Sequence, residues 1–435
     1  MPQEIMQYYS SNGQAPLASF KEAIFTGLPP DNGLYLPTEI PLLDSTFLNN
    51  LSGKSLPEIG LEVAKVFVGD EIPAADLQQL VAEVVNFDIP LVEVEEDIFS
   101  LELYHGPTYA FKDVGARFLA RCLSYFVAQS NEKLTILVAT SGDTGSAVAN
   151  GFYEVPGIDV VLLYPGGGKV SKIQEQQLTT LGANITALEI DGTFDDCQRM
   201  VKQAFLDESL RTHRNLTSAN SINIARLIPQ SFYYFHALAQ LKPTGKPVVF
   251  SVPSGNYGNL SAGLIASQLG LQFSRMLACS NINKIVPEYL QTGRFEPQAS
   301  AMTISNAMDV GNPSNFARMQ AWYGGELEQM QLDIGGYWYT DDQTREALKE
   351  VHANAGYLMD PHGAIGYLGL KAYQQNNDVT GIFLETAHPA KFIDVVEETL
   401  DQKIDIPERL QACLNKEKKA ITMTADYEAL KEFLW

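Results

Sequence analysis

Four times along this chain, a run of β-branched and aliphatic residues breaks into a turn rich in small and polar residues, and a helical pattern follows. Leu134-Thr135-Ile136-Leu137-Val138 leads into Ser141-Gly142-Asp143-Thr144-Gly145 and a helix near Ser146. Val160 to Tyr164 leads into Pro165-Gly166-Gly167-Gly168 and a helix near Ser171. Val248-Val249-Phe250-Ser251-Val252 leads into Pro253-Ser254-Gly255-Asn256-Tyr257-Gly258-Asn259 and a helix near Leu260. Ile382-Phe383-Leu384 leads into Glu385-Thr386-Ala387-His388-Pro389-Ala390 and a helical segment from Lys391. Recurrent strand–loop–helix units imply an α/β fold, with parallel sheets covered by helices. Ligands in such folds bind at the carboxyl ends of the strands, where these loops lie.

Residues before about Asn86 have a different texture. Gly27-Leu28-Pro29-Pro30-Asp31-Asn32-Gly33 punctuates short periodic segments, and Leu61 to Val68 and Ala75 to Val85 have helical apolar spacing. The expected division is residues 1–87, a catalytic region over 88–400, and a helical, charged extension over 401–435. The 435 residues suffice for two or three domains. No apolar run approaches the roughly 18 residues of a membrane helix. The opening Met1-Pro2-Gln3-Glu4 lacks the basic and apolar regions of a signal peptide. Cys122, Cys197, Cys279 and Cys413 are dispersed, which fits a reducing cytoplasm rather than a disulfide framework or zinc site. The formal charge of −22 disfavours nucleic acid and anionic membranes as partners. A small phosphorylated ligand is still possible, provided local donors oppose the sign of the whole chain.

The run His105-Gly106-Pro107-Thr108-Tyr109-Ala110-Phe111-Lys112-Asp113 sets one lysine between a bulky apolar residue and a carboxylate, after a Gly-Pro turn. A Schiff-base lysine must be held rigidly and be neutral part of the time. Lys112 is therefore an anchor for a pyridoxal phosphate reading, if the rest of a cofactor site exists. Ser254 to Asn259 offers two glycines and a helix N-terminus to an anion, although a plain strand-to-helix turn would look the same. Gly166-Gly167-Gly168-Lys169 is a rival cradle that reads better as a flexible loop. Ser141 to Gly145 is dense in hydroxyls, suited to a carboxylate or to helix capping. Asn220-Ser221-Ile222-Asn223-Ile224-Ala225-Arg226 brings amides, a hydroxyl and a guanidinium together, with a surface ion pair as the plainer alternative for Arg226. His105, His362 and His388 lack metal-ligand spacing, and no metal is assigned.

Together these loops resemble the threonine synthase family of fold-type II pyridoxal phosphate enzymes. The resemblance is carried by HGPTYAFKDVGAR (105–117), TSGDTGSA (140–147), VPSGNYGNLSAG (252–263), ETAHPAKF (385–392), AIFTGLPPDNGLYLP (23–37) and the run from Ala307 to Phe316. It implies a tryptophan synthase β-like fold with two parallel-rich sheets and an extra N-terminal domain. It further implies that Lys112, beside Phe111, carries pyridoxal 5'-phosphate. Ser254, Gly255, Asn256, Tyr257, Gly258 and Asn259 would hold the cofactor phosphate, and Thr386 would meet the pyridine nitrogen. Asp143 stands where the wider pattern usually has an Asn facing the phenolic oxygen; two anions there repel unless they share a proton. Thr108, Thr140, Ser141, Gly142 and Thr144 would bind substrate, and Asn220, Ser221 and Arg226 would hold its phosphate.

The activity implied is conversion of O-phospho-L-homoserine and water to L-threonine and phosphate, by γ-elimination and β-hydration, in a monomer or homodimer. Two other readings stay open: a phospholyase ending in 2-oxobutyrate, and a non-catalytic phosphate-ligand binding module.

Overall fold

The structure is a computed structural model that describes residues 6–130 and 132–435. The opening Met1 to Glu4, read above for a signal peptide, lies outside the described residues. A short antiparallel pair, β1 (Tyr8–Ser10) and β2 (Tyr35–Pro37), and the helices Leu56–Val68 and Ala74–Val84 form the N-terminal part. Both helices fall where the apolar spacing predicts. They bury Ile59, Val63, Phe67, Leu77, Val81 and Val84, residues three or four apart along one stripe.

Next come β3 (Leu91–Glu95) and β4 (Ile98–Glu102), then β5 (Leu134–Ala139), β6 (Ile158–Pro165), β7 (Ile185–Asp191) and β8 (Leu216–Ser218). β9 (Val248–Pro253), β10 (Arg275–Ser280), β11 (Ile334–Trp338), β12 (Thr380–Glu385) and β13 (Ala420–Thr424) complete the strands. They form two large sheets, ordered β13-β7-β6-β5-β8 and β11-β10-β9-β12-β4-β3. All pairings in these sheets are parallel except β3 with β4. Every residue of β5 and β12 is buried, as a parallel strand covered on both faces requires.

The expected turns to helix after β5, β6 and β9 are present as the helices Asp143–Phe152, Lys172–Thr179 and Gly258–Gln268. After β12 a short 3₁₀ turn, Pro389–Phe392, precedes the helix Ile393–Leu400. The tail carries the helices Glu408–Leu414 and Tyr427–Leu434 and, between them, a strand that its helical reading did not include. Ala420–Thr424 runs parallel to β7 at the edge of the five-stranded sheet. Its mostly solvent-facing residues leave little apolar pattern to read, so the strand is defined by pairing with β7. Among the described residues, no helix is long and apolar enough to cross a membrane.

Candidate active site

Lys112 is the first residue of the helix Lys112–Ser130 and lies on the wall of a cavity of about 360 Å³. The chain reaches it through Tyr109, whose φ of 57° is left-handed. The loop is fixed by Asp113, a buried carboxylate that accepts from the Thr108 N–H at 2.8 Å and the Thr108 hydroxyl at 2.6 Å. The Phe111 N–H donates to the Thr386 carbonyl at 2.9 Å, joining this loop to the end of β12. Burial pulls the Lys112 amine down to about 8; Asp143 opposes the shift, while Arg226 and Lys391 add to it. Lys112 is therefore neutral amine far more often near pH 8 than an ordinary lysine.

The loop after β9 turns at Tyr257, which has a left-handed φ of 59° and caps the helix Gly258–Gln268. Its phenol hydroxyl lies 2.6 Å from Ser280 Oγ. Asn259 holds the loop from within: its Oδ1 accepts from Ser254 Oγ at 2.9 Å and its Nδ2 donates to the Pro253 carbonyl at 2.8 Å. Gly255 to Asn259 all line the cavity. A Cβ at Gly258 would meet Asn315 Nδ2 at 3.5 Å and Ser221 Cβ at 3.7 Å, ordinary contact distances, so this helix N-terminus packs beside the Ser221 segment on the cavity wall. At Gly255 the same atom would lie 2.6 Å from Met308 Cα, so only glycine fits beneath the 306–308 segment.

Asn256 bridges two segments, donating to Ser221 Oγ at 2.6 Å and accepting from the Ser314 N–H at 2.6 Å. Arg318 is fully buried and donates to the carbonyls of Ser221, at 3.0 Å, and Ile222, at 2.6 Å, fixing the segment that leads to Arg226. Arg226 is only 2% exposed. Its Nη1 donates to the Ala219 carbonyl, its Nε has no partner, and no carboxylate pairs with it among the described residues. Gln230 Oε1, also unpartnered, lines the same cavity. The unpaired guanidinium marks a place where an anion belongs, and the unpartnered Gln230 oxygen calls for a hydrogen-bond donor beside it.

In the hydroxyl-rich loop after β5, Thr140 Oγ1 accepts from the N–H groups of Gly142, at 3.0 Å, and Gly145, at 2.8 Å. This tight turn sets Ser141 and Thr144 on the cavity wall. Asp143 accepts from Gln174 Nε2 at 2.8 Å and pairs with the buried Lys391 Nζ at 2.6 Å. Burial pushes its carboxyl up, but Lys391 and Lys112 outweigh this and hold it at about 2. Asp143 thus has a buried lysine as its counter-ion.

The cavity wall brings together Phe111, Lys112, Thr140, Ser141, Thr144, Asn220, Ser221, Arg226, Gly255, Asn256, Tyr257, Gly258, Asn259 and Thr386. Thr108, Gly142, Asp143 and Ser254 do not line it. Thr108 departs most from its expected substrate contact, because the buried Asp113 claims both its donors and a buried carboxylate needs them. Ser254 and Gly142 shape their own loops. The rival Gly166–Lys169 loop lies apart, with Lys169 Nζ donating to the Gly192 carbonyl at 2.7 Å. Sequence reasoning missed Gln174, Gln230, Arg318 and Lys391. It also gave no role to His362, which lines the cavity. The Ala307 N–H donates to His362 Nε2 at 3.2 Å, so Nδ1 carries the proton that faces Asp360 Oδ1 at 2.5 Å.

Three family models match the chain: pyridoxal-phosphate dependent enzyme over residues 88–382, threonine synthase N terminus over 7–84, and threonine synthase C-terminal over 363–434. A threonine synthase of Haemophilus influenzae is 44% identical over 433 residues, covering 99% of both chains. The chain belongs to the threonine synthase family. The crystal structure of threonine synthase from Escherichia coli superposes with a TM-score of 0.93 at 41% identity, covering 99% of both chains. A pyridoxal-phosphate-bound threonine synthase from Brucella melitensis gives 0.92 at 36% identity, covering 99% of this chain and 98% of that one. The fold is therefore fold-type II, and the cofactor of this family of lyases is pyridoxal phosphate. The site fits that group: a partly neutral lysine, a glycine-lined helix N-terminus and an unpaired guanidinium share one cavity.

Proposed function

We propose that this cavity converts O-phospho-L-homoserine and water to L-threonine and phosphate. Arg226 carries the reading. A buried guanidinium without a carboxylate of its own is costly unless an anion completes it, and it faces the same cavity as Lys112. Two phosphates need two sets of donors. Gly255 to Asn259, with Ser254 bracing the loop, hold that of the cofactor; Asn220, Ser221 and Arg226 hold that of the substrate. Ser141 and Thr144, on the turn built by Thr140 and Gly142, receive the substrate carboxylate. Thr386 would present its hydroxyl to the pyridine nitrogen and Phe111 would lie beside the ring, with Asp143 behind the cavity wall. Thr108 acts at one remove, by fixing Asp113 and the lysine loop.

Bound pyridoxal phosphate supplies an electron sink for charge developing on the amino-acid carbons. Lys112 Nζ, with its affinity for protons lowered to about 8, bonds the cofactor and moves protons at substrate Cα and Cβ. Arg226 stabilises charge on the departing phosphate. In this reading the chain acts in the cytoplasm as a monomer or homodimer, without nucleic acid, in keeping with its dispersed cysteines and charge of −22. The test is incubation of the purified holoenzyme with O-phosphohomoserine, with threonine and phosphate measured together. Equal amounts of both are expected; 2-oxobutyrate and ammonia without threonine would refute the proposal.

A further inference from the structure

Lys391 is a lysine with a fully buried side chain, 0% exposed, whose Nζ lies 2.6 Å from Asp143 Oδ1. Its ammonium also donates to the Thr108 carbonyl at 3.0 Å. It thereby ties the turn after β12 to both the lysine loop and the hydroxyl loop. Gln174 Nε2 donates to the same Asp143 oxygen at 2.8 Å. Lys112 feels Asp143, Arg226 and Lys391, and Asp143 is the anion among them. The other groups that feel Lys391 do not replace it. Asp113 takes its donors from Thr108, and burial pushes its carboxyl up. His388 is pulled down to about 4, first by burial and then by His105, and stays neutral. Without Lys391, the charge on Asp143 would have Lys112 as its nearest remaining buried counter-ion.

We propose that Lys391 is a positioning residue that occupies Asp143, so that this carboxylate does not claim Lys112, whose amine stays available to bond the cofactor and move protons. The proposal rests on Lys112 being the cofactor-bearing lysine. An ion pair serving only to staple two loops would affect stability alone. The electrostatic role predicts shifts of opposite sign when either partner is removed.

The experiment follows the pH midpoint of the visible absorption of the bound cofactor in holoenzymes carrying Lys391→Met, Asp143→Asn, or both. Lys391→Met leaves an uncompensated anion and should raise the midpoint by about one unit, a tenfold change in proton affinity. Asp143→Asn leaves an uncompensated cation and should lower it. The double variant should return close to the parent. Midpoints that do not move, or that move in the same direction in both single variants, would overturn the proposal. If Lys391→Met does not fold, Asp143→Asn and the double variant decide it: an unmoved Asp143→Asn midpoint overturns it, and a lowered midpoint restored in the double variant supports it. The Lys112→Ala protein tests the underlying reading separately. Loss of its visible band upholds that lysine, while a band that persists means the wrong lysine was chosen and removes the basis of the proposal.

Discussion

Replacing Gly255 with alanine would place a methyl carbon 2.6 Å from Met308 Cα, 3.0 Å from the Ala307 carbonyl oxygen and 3.2 Å from the Met308 carbonyl carbon. All three are backbone atoms, so no side-chain rotation relieves the contact. Either the 306–308 segment lifts, straining the Ala307 N–H bond to His362, or the loop after β9 shifts into the cavity. Overpacking of this kind costs about 1–3 kcal/mol. If the strain falls on the cofactor-bound state, that cost weakens pyridoxal phosphate binding by roughly fivefold to 150-fold. If the free protein shares it, thermal stability falls correspondingly. The assay is a cofactor titration followed by visible absorbance, paired with thermal unfolding of the cofactor-free protein. An alanine variant with parental affinity and parental Tm would show that Gly255 is not the close-packing point described here.

Three further outcomes are expected. Lys112→Ala should lose the visible absorbance of bound cofactor and threonine formation; normal turnover in the purified variant would point to another lysine. Lys112→Met should stabilise the cofactor-free protein near pH 7. Burial holds the Lys112 amine at about 8 in the folded protein, below its ordinary value of 10.5, so its protonated form opposes folding until the pH rises through that window. Thermal melts should show the advantage shrinking from pH 8 to 10.5, and a constant difference would refute this account. Arg409, in the tail, stacks its guanidinium 4.4 Å from the Tyr109 ring centroid and donates to the His105 carbonyl at 3.2 Å. Arg409→Ala should cost about 0.5–1 kcal/mol in chemical unfolding and loosen cofactor binding, with unchanged binding counting against a clamp on the lysine loop.

The parts of this molecule legible in its sequence are those that local rules control. β5, β6, β9 and β12 announce themselves because a parallel strand covered on both faces is mostly apolar, and the turn after each carries small or polar residues. Lys112 stands out by its neighbours. The meeting of Asp143 with Lys391 does not, because it joins two loops on different sheets and a lysine in sequence reads by default as surface. Arg318 was hidden for the same reason: its partners are carbonyls of Ser221, Ile222 and Tyr35, which carry no residue-type signature. The bonds of Thr108 to Asp113 were equally hidden, because motif position records that a residue is required without distinguishing contact with a ligand from support of a buried carboxylate.

The charge of the whole chain and the charge of its cavity act on the substrate at different ranges, and this separates two measurable effects. A phosphorylated amino acid approaches a surface with a formal charge of −22 and passes the exposed Asp195 at the cavity wall before it meets the buried Arg226. Long-range repulsion is screened over about 10 Å at 0.1 M salt, whereas contact between a phosphate and a buried guanidinium is screened far less. Raising ionic strength from about 10 mM to about 150 mM, where the screening length falls to about 8 Å, should therefore increase kcat/KM for O-phosphohomoserine, with kcat nearly constant. The gain should level off once the screening length is shorter than the distance from the rim to the cations. A steep fall in kcat/KM over the same range would mean that the positive field of the site reaches beyond its mouth, and that the acidic surface does not govern the approach.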